Sequence, residues 1–418
     1  MISRVKGTQD FLDLTLFNFI VTQAKKHLAT YHFTEISTPI IEPLDLFKRS
    51  LGEYTDVVSK EMFLIDTRGE SHEKICLRPE ATAPTIRAFI ENGIQQTPWK
   101  VYSYGPMFRY ERPQKGRFRQ FNQISIEAIG SNSIFQDVQL IKMLDRFFHE
   151  NLRLNNYALQ INFLGCFDDR KAYRLVLKEF LESPQAQAAM CETCKIRKDI
   201  NAMRIFDCKS VSCQQLYKEA PFIVDHLCDT CGFEWALLQE QLQLLSVSCT
   251  YNPTLVRGLD YYNKTVFEFT SQALGAQSTF CGGGRYDQLV SQLGGKHDQP
   301  SIGAGIGIER VMLLLEPFRD TLPLPQKPKL HIVVPMAEEQ IPLALLFADM
   351  LQAADLCTDI ILKIDSMKDM MRKVNKLGAT YALILGEQEQ TDNTVTIKNM
   401  VTGAQETVKQ VEAMKYLQ

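Results

Sequence analysis

The chain has 418 residues, 45% of them hydrophobic and 23% charged, which is an ordinary globular balance with room for two or three domains. A formal net charge of −3 implies no whole-molecule attraction to nucleic acid, so any such contact must come from local basic patches. There is no run of about 18 apolar residues for a membrane span. The N-terminal MISRVKGTQDF has no apolar core of signal-peptide length, and eleven cysteines fit a reducing compartment, which points to the cytoplasm.

In chain order, a turn at Gly7–Phe11 leads into a helix over Asp13–Tyr31, with Leu16, Phe19, Ile20 and Leu28 at helical spacing. Phe33–Ile41 reads as a strand that Pro39 pushes to an edge or a break. A short helix over Leu44–Ser50 and a polar loop follow. Met62–Asp66 and Lys74–Leu77 read as a small hairpin joined by Thr67–Glu73. In LRPEATAPTIR, Glu80 and Thr82 precede a helix over Thr85–Asn92, where a carboxylate and a hydroxyl commonly act as caps. Lys100–Tyr104 and Phe121–Ile129 alternate on either side of a Pro/Gly-containing turn, so they form an antiparallel hairpin. Its tip carries Arg109, Arg112, Lys115, Arg117 and Arg119 against Glu111, and Gln123, Ser125 and Glu127 share one parity. Arginines suit bidentate grip on phosphate or carboxylate. An amphipathic helix over Phe135–Asn151 and a strand over Tyr157–Leu164 complete the first part.

A second region follows, with helices over Asp168–Leu181 and Gln239–Leu245 around Cys191–Trp235, which holds six of the eleven cysteines. Thr254–Thr270 returns to strand chemistry, and Gly258 suggests a bulge or a close approach to a ligand. Thr279–Val290 sets three glycines between a strand and a helix. Ser301–Leu315 is glycine-rich, then apolar and helical. Four prolines in Pro317–Pro328 mark a linker. Beyond it, strands at Leu330–Val334, Thr358–Ile364, Tyr381–Leu385 and Val395–Lys398 alternate with helices at Ile341–Ala354, Met367–Leu377 and Glu406–Tyr416, which implies a small α/β domain with a mostly parallel sheet. Lys368, Arg372, Lys373 and Lys376 share one helix face, either a patch for a phosphate backbone or a solvated surface.

Three runs, FRYERPQKGRFRQFNQ (Phe108–Gln123), RGLDYY (Arg257–Tyr262) and GIGIERVMLLL (Gly305–Leu315), together resemble the class II aminoacyl-tRNA synthetases. RGLDYY and GGRYD (Gly283–Asp287) look like the two signatures particular to the histidyl-tRNA synthetase family. The resemblance runs from Lys6–Phe11 to the C-terminal α/β domain. It implies an α+β catalytic domain on an antiparallel sheet (1–164 and 249–320), a small insertion domain (165–248) and a C-terminal α/β anticodon-binding domain (327–418). Glu35–Gly52 matches the family's dimer-interface motif around Pro39, so a homodimer is expected. The departure is Gly282, where the family usually has Ala before GGRYD. The chain has neither GxxxxGK[ST] nor GxGxxG, so a parallel-sheet nucleotide fold is not expected for residues 1–320.

The chemistry implied is two-step: histidine attacks the α-phosphorus of ATP and expels pyrophosphate, then the histidyl-adenylate acylates the 3′ end of tRNA(His). The first step needs alignment and charge stabilisation at the α-phosphate rather than a protein nucleophile. By family match Arg109 and Arg257 supply this, Arg117 and Arg310 meet the triphosphate, and Mg²⁺ bridges the phosphates. Glu80, Thr82 and Gln123 match contacts to the histidine ammonium and carboxylate. Glu127 and Tyr262, with Tyr261 beside them, match the imidazole readers. Gln114 and Lys115 are expected to approach the tRNA acceptor end.

Cys191-x-x-Cys194 and Cys228-x-x-Cys231 each have zinc-ligand spacing. One structural Zn²⁺ on these four is one reading; reduced thiols in a small helical domain is the other, and the resembled family generally works without zinc. Three rival functions are weighed. The regulatory subunit of ATP phosphoribosyltransferase shares the catalytic fold but typically lacks RGLDYY and the C-terminal domain. A tRNA-sensing module fused to a kinase would carry extra domains and eroded arginines. A zinc-dependent nucleic-acid-binding protein would leave Glu80, Gln123 and Tyr262 without a purpose.

Overall fold

The computed structural model describes residues 2–52, 55, 57–66 and 74–417. The expected Thr67–Glu73 connection, and part of the polar loop after Ser50, lie outside them. Two compact units divide the chain, Met1–Leu324 and Pro325–Gln418.

Sixteen strands are found among the described residues. In the first unit they are β1 (Thr34–Glu35), β2 (Ile41–Pro43), β3 (Phe63–Ile65), β4 (Ile75–Leu77), β5 (Trp99–Phe108), β6 (Gln120–Ile129), β7 (Ala158–Phe163), β8 (Cys249–Tyr251), β9 (Asn263–Thr270), β10 (Thr279–Arg285) and β11 (Ser301–Gly307). The second unit holds β12 (His331–Pro335), β13 (Thr358–Ile360), β14 (Tyr381–Leu385), β15 (Thr394–Asn399) and β16 (Gln405–Lys409). Eight strands form one sheet in the order β1-β5-β6-β11-β10-β9-β7-β8. Its six long central strands pair antiparallel, and only the short edges β1 and β8 pair parallel.

Period-two alternation gives this sheet two different faces. Ile124, Ile126, Phe267, Phe269, Ile302 and Ile306 point to one side and form a core with helices Thr15–Thr30, Ile134–Arg146 and Ile308–Leu315. Ser133 starts the second of these helices by accepting the Phe135 N–H. Gln123, Ser125 and Glu127 point to the other side, as their shared parity predicts. Opposite them in β11 stand Gly307, Gly305 and Gly303. A Cβ on Gly303 would lie 1.7 Å from Glu127 Oε2, and one on Gly305 would lie 1.8 Å from Gln123 Nε2. The glycine run is the space into which these two side chains lie.

Local expectations shift in several places. The Phe33–Ile41 strand is split at Pro39: only Thr34–Glu35 joins the large sheet, and Ile41 starts β2 in a three-stranded sheet ordered β2-β4-β3. The helix after Glu80 spans Thr82–Glu91, one turn longer at its start than expected. Residues 254–262, the first part of the expected Thr254–Thr270 strand, form loop and turns between β8 and β9. Gly258 lies in this loop rather than in a strand bulge; no protein atom comes within 4 Å of a Cβ added there, and its carbonyl accepts Arg204 Nη2 at 2.6 Å. Between β7 and β8 the described chain is helical, from Phe167–Glu182 to Asp229–Leu244.

In the second unit the sheet order is β13-β12-β14-β15-β16. β12 pairs parallel with β13 and β14, but β15 and β16 add antiparallel, so the sheet is mixed rather than mostly parallel. The expected Glu406–Tyr416 helix starts instead as strand β16, with a 3-10 turn at Gln410–Glu412 and α-helix only at Met414–Leu417. Gly403, at φ +75°, turns the chain back on β15, and the β-branched Thr407 and Val408 then pair with Thr396 and Val395.

Candidate active site

The polar face of the large sheet opens into one pocket. It is lined by Glu80, Thr82, Arg109, Arg117, Gln123, Arg257, Tyr261, Tyr262 and Arg310. Nine residues expected at a site therefore meet in one place, brought from four separate parts of the chain. Glu127 lies immediately beneath, 1% exposed. Gln114 and Lys115 are exposed at the hairpin tip; Gln114 bridges to Arg117, and Lys115 borders a different groove with Phe11, Met312 and Leu313.

The amino-acid end is built on β6 and the Thr82–Glu91 helix. Glu80 is a cap: its two oxygens accept the Thr82 and Ala83 N–H groups at 2.7 and 2.8 Å. It also faces the pocket, so both roles weighed from sequence coexist. Burial raises its carboxyl above the usual range. Glu127 accepts the Thr82 hydroxyl at 2.7 Å and the Tyr286 hydroxyl in a short bond. Burial pushes the Glu127 carboxyl up to about 8, the two hydrogen bonds opposing that rise. Tyr261 and Tyr262 lie beside it, their ring centroids 4.5 Å apart and their planes tilted by 47°. The Gln123 side-chain oxygen is buried without a hydrogen-bond partner, an unfilled acceptor facing the pocket.

The other end is cationic. Arg109 leaves the end of β5, donates Nε–H to the Pro79 carbonyl at 3.0 Å and lies 5.4 Å from the centre of the Phe121 ring. Arg257 comes from the loop before β9; it pairs with Glu268 and lies 5.7 Å from the centre of the Tyr262 ring. Its Nε is buried without a partner. Arg310, in the first turn of helix Ile308–Leu315, donates to the Gly116 carbonyl at 2.9 Å and to the Thr279 carbonyl. Burial, and after it the Arg109 charge, pull the Arg310 guanidinium below its usual range. Arg117 is held by Glu111, with Glu61 at 3.9 Å. Burial, reinforced by the Glu111 charge, raises Glu61 to about 7.

Three supporting residues are missed by sequence reading. Glu268 anchors Arg257 and accepts the Thr279 hydroxyl at 2.7 Å. Tyr286 stands in the quoted GGRYD, but its grip on Glu127 depends on strand pairing. Glu309, adjacent to Arg310, binds the Asn122 backbone and side chain at 2.8 to 3.0 Å. The only signal for Glu268 is its place between Phe267 and Phe269, whose parity turns it to the polar face. Arg285 and Asp287 are structural: Arg285, 1% exposed, pairs with buried Asp137 and lies 3.2 Å from Asp287. Gly282 packs under the catalytic candidate, since a Cβ there would fall 2.5 Å from Arg257 Nη1.

The family model described as histidyl-tRNA synthetase matches residues 18–311, and the one described as anticodon binding domain matches residues 331–418. The chain belongs to the histidyl-tRNA synthetase family. The histidine–tRNA ligase of Clostridioides difficile (strain 630) is 41% identical over 97% of this chain and 96% of its own length. That of Nitratidesulfovibrio vulgaris (Hildenborough) is 42% identical, with the same two coverages. The apo histidyl-tRNA synthetase of S. aureus superposes with a TM-score of 0.81 at 32% identity, covering all of both chains. A Bacillus halodurans structure titled as an ATP phosphoribosyltransferase regulatory subunit/histidyl-tRNA synthetase scores 0.63 at 19% identity, covers 92% of this chain and 98% of its own, and shows shared fold alone.

The expected zinc set is not assembled. Cys191 and Cys194 gather with Cys208 and Cys213, whereas Cys228 and Cys231 gather with Cys166 and Asp169. The two CxxC pairs open different helices, Glu192–Ile200 and Asp229–Leu244, and each helix start packs against its own neighbours.

Proposed function

We infer that this chain is a histidine–tRNA ligase: it activates L-histidine with ATP and transfers it to the 3′ end of tRNA(His). The observation that carries this reading is the pocket itself, in which Arg109 and Arg257 from separate elements face a floor bearing Gln123 and Glu127. Histidine lies over β6. Its ammonium and carboxylate meet Glu80, Thr82 and Gln123, and its imidazole meets Glu127, Tyr261 and Tyr262. The histidine carboxylate attacks the α-phosphorus of ATP, and pyrophosphate leaves. Arg109 and Arg257 hold the α-phosphate and stabilise the charge that builds there, preorganised by Phe121, Tyr262 and Glu268. Arg117 and Arg310 take the β- and γ-phosphates; Mg²⁺ enters with ATP as part of that substrate. Gln114 and Lys115, exposed beside the pocket, approach the tRNA acceptor end.

The domain division is 1–164 with 249–320 for catalysis, 165–248 as an insertion and 327–418 for the anticodon. A homodimer is supported by the three-stranded sheet. One of its faces carries Ile41, Pro43, Phe63, Ile65, Ile75 and Leu77, none of them buried. It adjoins the segment that matches the family's dimer motif. Eleven unpaired cysteines support residence in the cytoplasm.

The regulatory-subunit reading fits less well, because the chain retains RGLDYY, both pocket arginines and a second unit. ATP–pyrophosphate exchange with each of the twenty amino acids tests the proposal. Exchange with histidine alone, lost in Arg257→Ala, supports it. Absence of exchange in protein that still binds histidine overturns it in favour of the regulatory subunit.

A further inference from the structure

The two cysteine clusters of the helical segment are held together differently. At Cys166, Cys228 and Cys231, Asp169 accounts for the arrangement. It accepts the Cys166 N–H at 3.0 Å and the Cys228 N–H at 2.9 Å, closing the start of helix Phe167–Glu182 and tying the two helix starts to each other. That cluster is held by hydrogen bonds of the protein itself.

The other cluster has no carboxylate and no such explanation. The four thiols of Cys191, Cys194, Cys208 and Cys213 lie within 4.8 Å of one another, and Cys191 Sγ is 3.7 Å from Cys208 Sγ. A tetrahedral zinc with sulfurs at about 2.3 Å sets them about 3.8 Å apart. Three of the four residues are buried. The backbone already turns amides toward the sulfurs: the Cys191 N–H points at Cys213 Sγ at 3.2 Å and the Ser210 N–H at Cys208 Sγ at 3.4 Å, as thiolate ligands require of their surroundings. Tyr217, 2% exposed, has a buried hydroxyl with no partner of ordinary geometry, set beside the Cys194 and Cys213 sulfurs. A thiolate would accept that proton where a thiol does so poorly. The surrounding helices, between Pro184 and His226, are only four to nine residues long, too short to be stable by themselves.

We propose that Cys191, Cys194, Cys208 and Cys213 bind one structural Zn²⁺, and that the loop it closes braces the Arg257–Tyr262 segment. Between the two cysteine pairs, Asn201 Nδ2 and Arg204 Nε both donate to Asp260 at 2.9 Å, and Arg204 Nη2 donates to the Gly258 carbonyl. Closing residues 194–208 on a metal fixes these donors under the arginine that meets the α-phosphate. The metal assignment stands whatever amino acid the pocket takes.

The test is metal analysis of the full chain purified without chelator. About one equivalent of zinc per chain is expected, falling below about a tenth in Cys208→Ser and Cys213→Ser and unchanged in Cys228→Ser. Because a cysteine variant can fail to fold, the wild type is also reconstituted with Co²⁺ and read by visible absorption. Strong tetrahedral bands with sulfur-to-cobalt charge transfer support a four-thiolate site. Wild-type zinc below about a tenth of an equivalent, or zinc kept by Cys213→Ser and lost by Cys228→Ser, overturns the proposal.

Discussion

Glu127 shows how much one side chain's behaviour depends on its neighbours. In sequence it is one carboxylate in an alternating strand. In the fold it is buried, held by Thr82 and Tyr286, and raised to about 8. The folded state therefore keeps a proton that the unfolded chain releases near the ordinary carboxylate value of 4.5. The folded state binds more protons between those two values, so stability falls as pH rises through that window. Glu61, at about 7, acts in the same direction over a narrower range. Glu127→Gln removes its share. Urea unfolding of the ligand-free protein at pH 5, 6.5 and 8 is expected to show the variant gaining on the wild type as pH rises; parallel curves would contradict the burial account. The same variant is expected to lose histidine-dependent exchange. Arg257→Ala is expected to cost about 3–4 kcal/mol of transition-state stabilisation, seen as a 10²- to 10³-fold loss of kcat/KM for pyrophosphate exchange.

At the scale of elements, β11 illustrates a strand selected for what it lacks. Gly303 and Gly305 leave the room that Glu127 and Gln123 fill, and an alanine Cβ at either position would overlap those side chains. Gly305→Ala is expected to displace Gln123 and to raise KM for histidine about 10²-fold, since displacements of about an ångström cost that much. ATP-dependent protection of the fold, followed by melting temperature, should change little. The small sheet β2-β4-β3 makes a different case. Its half-exposed apolar face needs a cover, and Ile41, 52% exposed, stands at its edge. Ile41→Lys is expected to shift the protein toward monomer in light scattering after size exclusion. An unchanged molecular mass would remove this face from the proposed dimer interface.

At the scale of the whole molecule, chemistry and tRNA reading belong to separate units. In the second unit, helix Met367–Lys376 buries Met370 and Val374 and exposes Lys368, Arg372, Lys373 and Lys376. Arg372 is paired with Asp369 at 3.3 Å, which leaves the three lysines as the stronger candidates for a phosphate backbone. Reversing Lys368, Lys373 and Lys376 to Glu is expected to raise KM for tRNA about tenfold or more, with a weaker salt dependence. Pyrophosphate exchange without tRNA should not change. A variant that aminoacylates normally would return this helix face to plain solvation.

The chain by itself determined the hairpin β5–β6, the parity of Gln123, Ser125 and Glu127, the Ile134–Arg146 helix and the arginines of the pocket. All of these rest on patterns that neighbouring residues carry: alternation, helical periodicity and motif spacing. Tertiary structure decided the rest, because it joins groups remote in sequence. β16 looks helical locally and becomes a strand because β15 offers it an edge. Arg285 is spent on Asp137, 148 positions away, rather than on a ligand. The cysteines pair by the packing of their helices and not by their CxxC spelling. The Glu127 carboxyl is raised well above the ordinary carboxylate range because other segments exclude water from it, and burial of that kind is a property of the packed molecule alone.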